Sequence, residues 1–217
     1  MTSIQKRLIP AVLLLIAAAT AIVGNSQPLL QEKYVAGTHY EVLEQPLKIA
    51  ADDKIEVMEI FWYGCGHCYS FEPYVKNWKT TKADDVEFMR TPAVWAKQMK
   101  AHAALFYAAE ALELPEAVHN DLFVLLTKEP KLQDKNRFAT IFAQYGVSSE
   151  DFLKTYDSFS IKAKVKQGEN RVRRNYKVGG TPEVVVNGKY RVTLRMAGGP
   201  VKLFEVVDFL VAKERKS

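Results

Sequence analysis

An almost continuous apolar run at residues 55–63, IEVMEIFWY, limits the possible folds of this chain more than any other feature. A strand that is apolar at most positions is buried on both faces, as in a sheet covered by helices on both sides. The apolar spacing from Tyr69 to Trp78 predicts a helix directly afterwards, and Pro73 is expected to kink it rather than end it. Residues 85–91 predict another strand. Strand, helix and strand in this order form a βαβ unit and indicate an α/β fold.

The two cysteines of the chain, Cys65 and Cys68, lie three positions apart just after this strand. A disulfide between them closes almost no loop, so it stabilises the fold very little through the entropy of the unfolded chain. Cys65 falls where the strand passes into the helix, and the unpaired backbone N–H groups there favour a thiolate. Cys68, one turn later, is expected to be more buried and less ionised. The pair therefore predicts an attacking sulfur and a resolving one, and a cationic His67 would further stabilise the anion on Cys65.

A Cys-x-x-Cys pair is also half of a zinc site, which is the alternative to redox chemistry. Zinc takes about four protein ligands in a structural site. The chain offers two cysteines and four scattered histidines, His39, His67, His102 and His119, with no second close pair. The sequence therefore favours redox chemistry, and we predict no metal.

The N-terminus has the pattern of a secretory signal. A short basic start, MTSIQKR, precedes an apolar run at residues 8–21, and Ala19 and Ala21 offer a cleavage site between small residues. The alternative is an uncleaved anchor, although the run is shorter than the roughly 20 residues of a spanning helix. We predict a signal peptide at residues 1–24. Export would place the cysteines in an oxidising compartment, where disulfides persist.

The rest of the chain divides by its periodicity. Residues 25–93 contain the βαβ unit, with a first short strand expected at residues 38–46. Residues 94–175 carry helical patterns without a convincing strand, which predicts a helical insertion. Residues 176–217 return to strands, with an Asn187-Gly188 hairpin turn followed by an amphipathic closing helix.

The net charge of +5 requires no anionic polymer as a partner, and we predict no nucleic-acid binding. A basic stretch at residues 162–174 is interpreted as a solvated helix face, with an anion-binding patch as the alternative.

The sequence Cys65-Gly66-His67-Cys68 after IEVMEIFWY, the helical insertion and the Gly-Thr-Pro at residues 180–182 before a hairpin together resemble a DsbA-type thiol:disulfide oxidoreductase. This family belongs to the thioredoxin superfamily and supplies the periplasmic oxidase of Gram-negative bacteria. The resemblance covers essentially the whole mature chain. It implies a thioredoxin fold with an inserted helical domain, and a redox-active disulfide, Cys65–Cys68, in place of an external cofactor.

The resemblance also implies individual roles. Cys65 corresponds to the nucleophile and Cys68 to its buried partner, while Gly66 and His67 form the dipeptide that tunes the redox potential. The dipeptide is Gly-His, where many family members have Pro-His. Glu59 resembles a buried acid that helps move the proton of the second cysteine; the alternative is a salt bridge with Arg90.

A second set of residues corresponds to the family's cis-proline loop. Pro182 resembles the cis-proline, and Thr181 resembles the preceding residue, which pairs with the substrate backbone. A plain strand-entry proline is the alternative for Pro182. Glu183 follows it at a position where a small or apolar residue is common.

The function that follows is the introduction of disulfide bonds into exported proteins by dithiol–disulfide exchange. The resemblance implies unfolded substrates with free thiols and a membrane quinone reductase of the DsbB type that reoxidises the enzyme. We expect a monomer. A periplasmic reductase or isomerase is the first alternative, and a non-catalytic exported chaperone module is the second.

Overall fold

The computed structural model describes residues 32–48 and 53–216. The predicted signal peptide at residues 1–24 lies outside this part of the chain. Within the described residues, no helix combines the length and the apolar character needed to cross a membrane.

A five-stranded mixed sheet lies at the centre of the fold, with the strand order β1-β5-β4-β2-β3. Strand β2 pairs parallel with β3 on one side and antiparallel with β4 on the other, and every β2 residue after Ile55 is buried. This agrees with the prediction of a strand covered on both faces. The strands are β1 (Glu41–Val42), β2 (Ile55–Phe61), β3 (Val86–Pro92), β4 (Glu183–Val186) and β5 (Tyr190–Thr193).

The first strand is shorter than the sequence predicted. Residues 38–46 were expected to be extended, whereas β1 covers only Glu41–Val42. It is an edge strand that pairs with the short β5 alone, and Val42 is 53% exposed. Because β1 is an edge strand whose partner β5 has only four residues, few ladder hydrogen bonds are available to lengthen it.

Helix α1 (Gly66–Thr81) connects β2 and β3 and covers one face of the sheet, and Pro73 lies inside it without ending it. The closing helix α8 (Pro200–Glu214) packs beside α1, where the ring of Phe204 stacks on Phe71 and Trp78 with centroid distances of 5.3 and 5.1 Å. The short helix α7 (Leu194–Ala197) leads into α8. Sequence periodicity did not predict α7, because four residues are too few to show a helical period.

Helices α2 to α6 follow β3 and precede β4 along the chain. The Ser148 side chain, just before α5, accepts a hydrogen bond from the Asp151 backbone N–H and caps that helix. The basic stretch at residues 162–174, interpreted from the sequence as one helix face, is divided between α6 and a π-helical turn, and this wide turn places Val172 in the core on the second face of the sheet. These elements are α2 (Lys97–Ala111), α3 (Ala117–Lys128), α4 (Lys135–Ala143), α5 (Ser149–Tyr156), α6 (Phe159–Asn170) and the π-helical turn (Arg171–Asn175).

The end of β2 joins the sheet to this helical segment. Phe61, Tyr63 and Cys68 belong to one buried cluster with residues of α2 to α6, and the half-buried Cys65 packs against that cluster. The Cys-x-x-Cys sequence therefore lies where the sheet and the helical segment meet.

Candidate active site

Cys65 occupies the position that precedes the first residue of α1. Its backbone is extended, with φ −99° and ψ 109°, and no side-chain hydrogen bond caps the helix. Cys65 is half-buried, whereas Cys68, one turn later, is completely buried. Both thiols are free in this structure. One sulfur is therefore within reach of an incoming thiol and the other is enclosed by the protein.

The two thiols have opposite acid–base properties. A hydrogen bond from the Cys68 thiol is the largest cause that lowers the pKa of Cys65, to about 5; burial opposes it, while Thr181 and the backbone N–H groups of Cys68 and His67 contribute further. Burial is the main cause that raises the pKa of Cys68 well above its ordinary value, and the neighbouring Cys65 adds to it. At neutral pH the dithiol form therefore carries a thiolate at Cys65 and a thiol at Cys68. The His67 side chain is exposed.

The loop before β4 lies against Cys65. The Thr181–Pro182 peptide bond is cis, and the Cys65 sulfur lies 3.5 Å from the Thr181 carbonyl oxygen. The antiparallel register, in which Glu183 of β4 is opposite Ile60 of β2, brings this loop to the end of β2 where Cys65 follows. As a thiol, Cys65 donates to the Thr181 carbonyl, whereas the thiolate is stabilised by the Thr181 side chain.

Glu59 pairs with Arg90, the alternative that the sequence left open. These residues are opposite each other in the β2–β3 register, and Arg90 Nε donates to Glu59 Oε2 at 2.9 Å. Arg90 also binds Glu72 on α1 at 2.9 Å and Glu116 at 3.0 Å. Burial raises the pKa of Glu59 and of Glu72. Glu59 points to the same face of β2 as Phe61, which packs in the cluster of Cys68, and its role in proton transfer stays a prediction.

Trp62 is held by a histidine that the sequence did not connect with the site. Its indole N–H donates to His102 Nδ1 at 2.9 Å, and His102 Nε2 lies 3.0 Å from the Leu132 carbonyl oxygen. Burial lowers the pKa of His102 to about 4, so the neutral ring accepts from Trp62 and donates to Leu132. The Trp62 ring also occupies the space beside Gly64, where an added Cβ would lie 2.3 Å from it. Trp62 therefore fixes the turn that leads to Cys65.

A second histidine ties Tyr63 to helix α1. The Tyr63 hydroxyl lies 2.8 Å from His119 Nδ1, and His119 Nε2 lies 3.4 Å from Glu72 Oε1. Burial lowers the pKa of His119 to about 3, so the neutral ring accepts from Tyr63. A histidine in an otherwise apolar helix face is the only local signal for such a contact, because a buried polar group needs a partner.

The metal-site alternative finds no set of ligands in the part of the chain that the structure describes. No group of three or more His, Cys, Asp and Glu side chains there is placed to hold a metal ion. His102 and His119 are occupied by the contacts above, and His39 Nδ1 accepts from the Val35 backbone N–H at 3.0 Å.

Comparisons with known proteins match most of the chain. The family model of the DSBA-like thioredoxin domain matches residues 79–210. The thiol:disulfide interchange protein DsbA of Pseudomonas syringae pv. tomato is 42% identical over 185 residues, which cover 85% of this chain and 86% of that protein. The crystal structure of Pseudomonas aeruginosa DsbA has a TM-score of 0.79 and 39% identity, covering 86% of this chain and 97% of that one. The crystal structure of the oxidoreductase DsbA from Xylella fastidiosa has a TM-score of 0.77 and 28% identity, covering 85% of this chain and 99% of that one.

Proposed function

Because the chain belongs to the DsbA family of thioredoxin-like proteins, we propose that Cys65, Cys68 and the Thr181–Pro182 loop are the centre at which it exchanges disulfides. The fold predicted from the sequence, a thioredoxin fold with an inserted helical domain, is confirmed by these relatives. The chain is a protein disulfide oxidoreductase that introduces disulfide bonds by thiol–disulfide exchange.

The contrast between the two sulfurs supports the assignment of roles. A substrate thiolate attacks the Cys65 sulfur of the Cys65–Cys68 disulfide, because Cys68 is completely buried. The S–S bond breaks, its electron pair stays on Cys68, and that sulfur takes up a proton because its pKa is raised. The intermediate is a mixed disulfide between Cys65 and the substrate.

A second substrate thiolate completes the reaction. It attacks the substrate sulfur of the mixed disulfide and releases Cys65 as a thiolate, which needs no proton because its pKa is about 5. A low pKa makes a sulfur a better leaving group, so this step favours release of the oxidised substrate. The substrate gains a disulfide and the enzyme gains two electrons as a dithiol. The single observation that carries this proposal is the position of the half-buried Cys65 at the start of α1, one turn before the completely buried Cys68.

Auxiliary roles follow for the neighbouring residues. Gly66 and His67 supply the first turn of α1, whose backbone N–H groups face the Cys65 sulfur. The backbone of Thr181, held beside Cys65 by the loop of Pro182, is the proposed contact for a substrate strand. Glu59 is the proposed proton carrier for Cys68, and the raised pKa of its carboxyl supports that role.

The cellular context is also part of the proposal. Residues 1–24 act as a cleaved signal peptide that exports the chain to the periplasm, and the mature chain divides at residues 93 and 175 as the sequence indicates. Its substrates are unfolded exported proteins with free thiols, and a DsbB-like membrane quinone reductase reoxidises the dithiol. The Cys65–Cys68 pair is the only redox group in the proposed reaction, and the enzyme acts as a monomer.

Two cysteine variants test this function on a reduced peptide that contains two thiols. We expect Cys65→Ser to abolish oxidation of the peptide, and Cys68→Ser to accumulate a mixed disulfide that a non-reducing gel or mass spectrometry detects. Full oxidation activity in Cys65→Ser would contradict the assignment. An equilibrium titration with glutathione separates an oxidase from a reductase, because an oxidase has a reduction potential well above the roughly −270 mV of thioredoxin.

A further inference from the structure

The loop that carries Thr181 contains two glycines that its shape does not require. Neither Gly179 nor Gly180 has a positive φ. A Cβ added at Gly179 would meet nothing within 4 Å, and one added at Gly180 would have Glu183 Oε1 as its nearest neighbour at 3.7 Å. Glycine widens the range of backbone conformations, so these residues leave the loop free to move unless other contacts hold it.

Glu183 provides such a contact at the end of the loop. Its side chain is buried, and Oε1 accepts a hydrogen bond from the Gly180 backbone N–H at 3.0 Å. The other carboxylate oxygen, Oε2, has no hydrogen-bond partner but lies 3.6 Å from Arg191 Nε. A buried carboxylate without a nearby cation destabilises the folded state, so the charge of Arg191 stabilises Glu183 in its buried position.

Arg191 holds the start of the same loop. Its guanidinium donates to the Lys177 carbonyl and to the carboxylate of Glu41. Lys177 has φ +49°, a left-handed conformation that lysine adopts at a cost, so this residue needs an external contact to stay in place. Arg191 and Glu183 lie on neighbouring paired strands, with Arg191 opposite Val185. One buried ion pair therefore binds both ends of the segment between Lys177 and Thr181.

We propose that the Glu183–Arg191 pair clamps this loop, so that Glu183 is a positioning residue that keeps Thr181 against the Cys65 sulfur. The inference rests on the proposed function and assigns a role to the side chain after Pro182. Without the clamp, the two glycines allow Thr181 to move away, and the thiolate of Cys65 loses one of the contacts that stabilise it. The same movement would displace the backbone proposed to contact substrate.

The test measures the rate of Cys65 alkylation as a function of pH in the reduced protein. We expect Glu183→Ala to raise the midpoint by up to about two pH units, the effect of losing one hydrogen bond to a charged group. Glu183→Gln is the matched control, because it keeps an oxygen acceptor for the Gly180 N–H, and its shift should be smaller. Adding Gly179→Ala to Glu183→Ala should recover part of the shift, since alanine fits there and restricts the loop.

A purely structural role for Glu183 predicts a different result. In that case Glu183→Ala lowers the free energy of unfolding but leaves the midpoint of Cys65 alkylation unchanged in the folded variant. That result overturns the clamp. If Glu183→Ala does not fold, the double variant Glu183→Leu/Arg191→Met removes the clamp while replacing a buried ion pair with apolar groups, a change that is often tolerated. An unchanged midpoint in that variant also overturns it. Failure of the proposed function is distinguishable, because the unmodified protein itself would then oxidise no peptide.

Discussion

The Cys65 sulfur lies 3.5 Å from the Thr181 carbonyl oxygen, although 116 positions separate the two residues. The Cys65 sulfur therefore lies between two separate segments, the start of α1 and the loop before β4. The first supplies backbone N–H groups and the Cys68 thiol, and the second supplies Thr181. We therefore expect a substrate that reaches Cys65 to approach beside the Thr181 backbone.

The first prediction concerns the source of the low pKa of Cys65. We expect its alkylation rate to rise with a midpoint near pH 5, and Cys68→Ala to move that midpoint upward because the Cys68 thiol is the main stabilising donor. Cys68→Ser keeps a hydroxyl donor at the same position and should move it less. If neither variant moves the midpoint, Thr181 and the backbone N–H groups at the start of α1, rather than the Cys68 donor, lower the pKa of Cys65.

The second prediction is a pH dependence of stability in the reduced protein. The pKa of Cys65 is about 5 in the folded state, against roughly 8.5 for an unperturbed cysteine. Between these values the unfolded chain binds the proton and the folded one does not, so the free energy of unfolding rises with pH. The contribution is fully present above about pH 8.5 and is lost as the pH falls through 5.

Urea denaturation of the reduced protein and of Cys65→Ala measures this contribution at pH 5 and at pH 8. The unmodified protein should gain unfolding free energy relative to Cys65→Ala as the pH rises from 5 to 8. The contributions of the other titrating groups largely cancel in this comparison, because both proteins contain them. A difference independent of pH would argue against a stabilised thiolate.

The third prediction separates the two glycines that flank Cys65. An alanine at position 64 would place its Cβ 2.3 Å from the Trp62 ring, whereas an alanine at position 66 would meet nothing within 4 Å. We expect Gly64→Ala to displace Trp62, change its fluorescence and slow peptide oxidation. Gly66→Ala should leave the Trp62 emission as it is. If Gly64→Ala leaves both the emission and the oxidation rate unchanged, Trp62 does not position the turn.

The fourth prediction concerns the buried charges beside α1. Arg90→Met leaves Glu59 without its cation, so we expect a loss of unfolding free energy on the order of 3–5 kcal/mol at pH 7. The loss should shrink at acidic pH, because burial raises the pKa of Glu59 and both it and Glu72 then take up protons. Chemical denaturation of Arg90→Met and of the unmodified protein, at pH 7 and at an acidic pH, measures this loss of unfolding free energy.

Glu116→Gln is the control for this prediction. The side chain of Glu116 is 60% exposed, so its ion pair with Arg90 should contribute no more than about 1 kcal/mol. If this substitution costs as much as Arg90→Met, burial does not govern the strength of the network.

Local sequence patterns were sufficient for the elements that build the centre of the fold. The apolar run of β2, the helical spacing after Cys68 and the Asn187-Gly188 turn each predicted an element that the structure contains. The resemblance drawn from Cys65, Cys68 and Pro182 predicted the family. The short β1 and α7 were mispredicted or missed, because their extent depends on neighbours rather than on periodicity.

The sequence by itself thus determined where the sheet, the first helix and the two sulfurs lie along the chain, since backbone preference and apolar periodicity act over a few residues. Only the tertiary structure decided which side chains meet there. Trp62 and His102 are 40 positions apart, and Tyr63 and His119 are 56 apart. A periodic pattern specifies that a residue is buried but not which polar partner it finds, because that choice depends on how separate elements pack against one another.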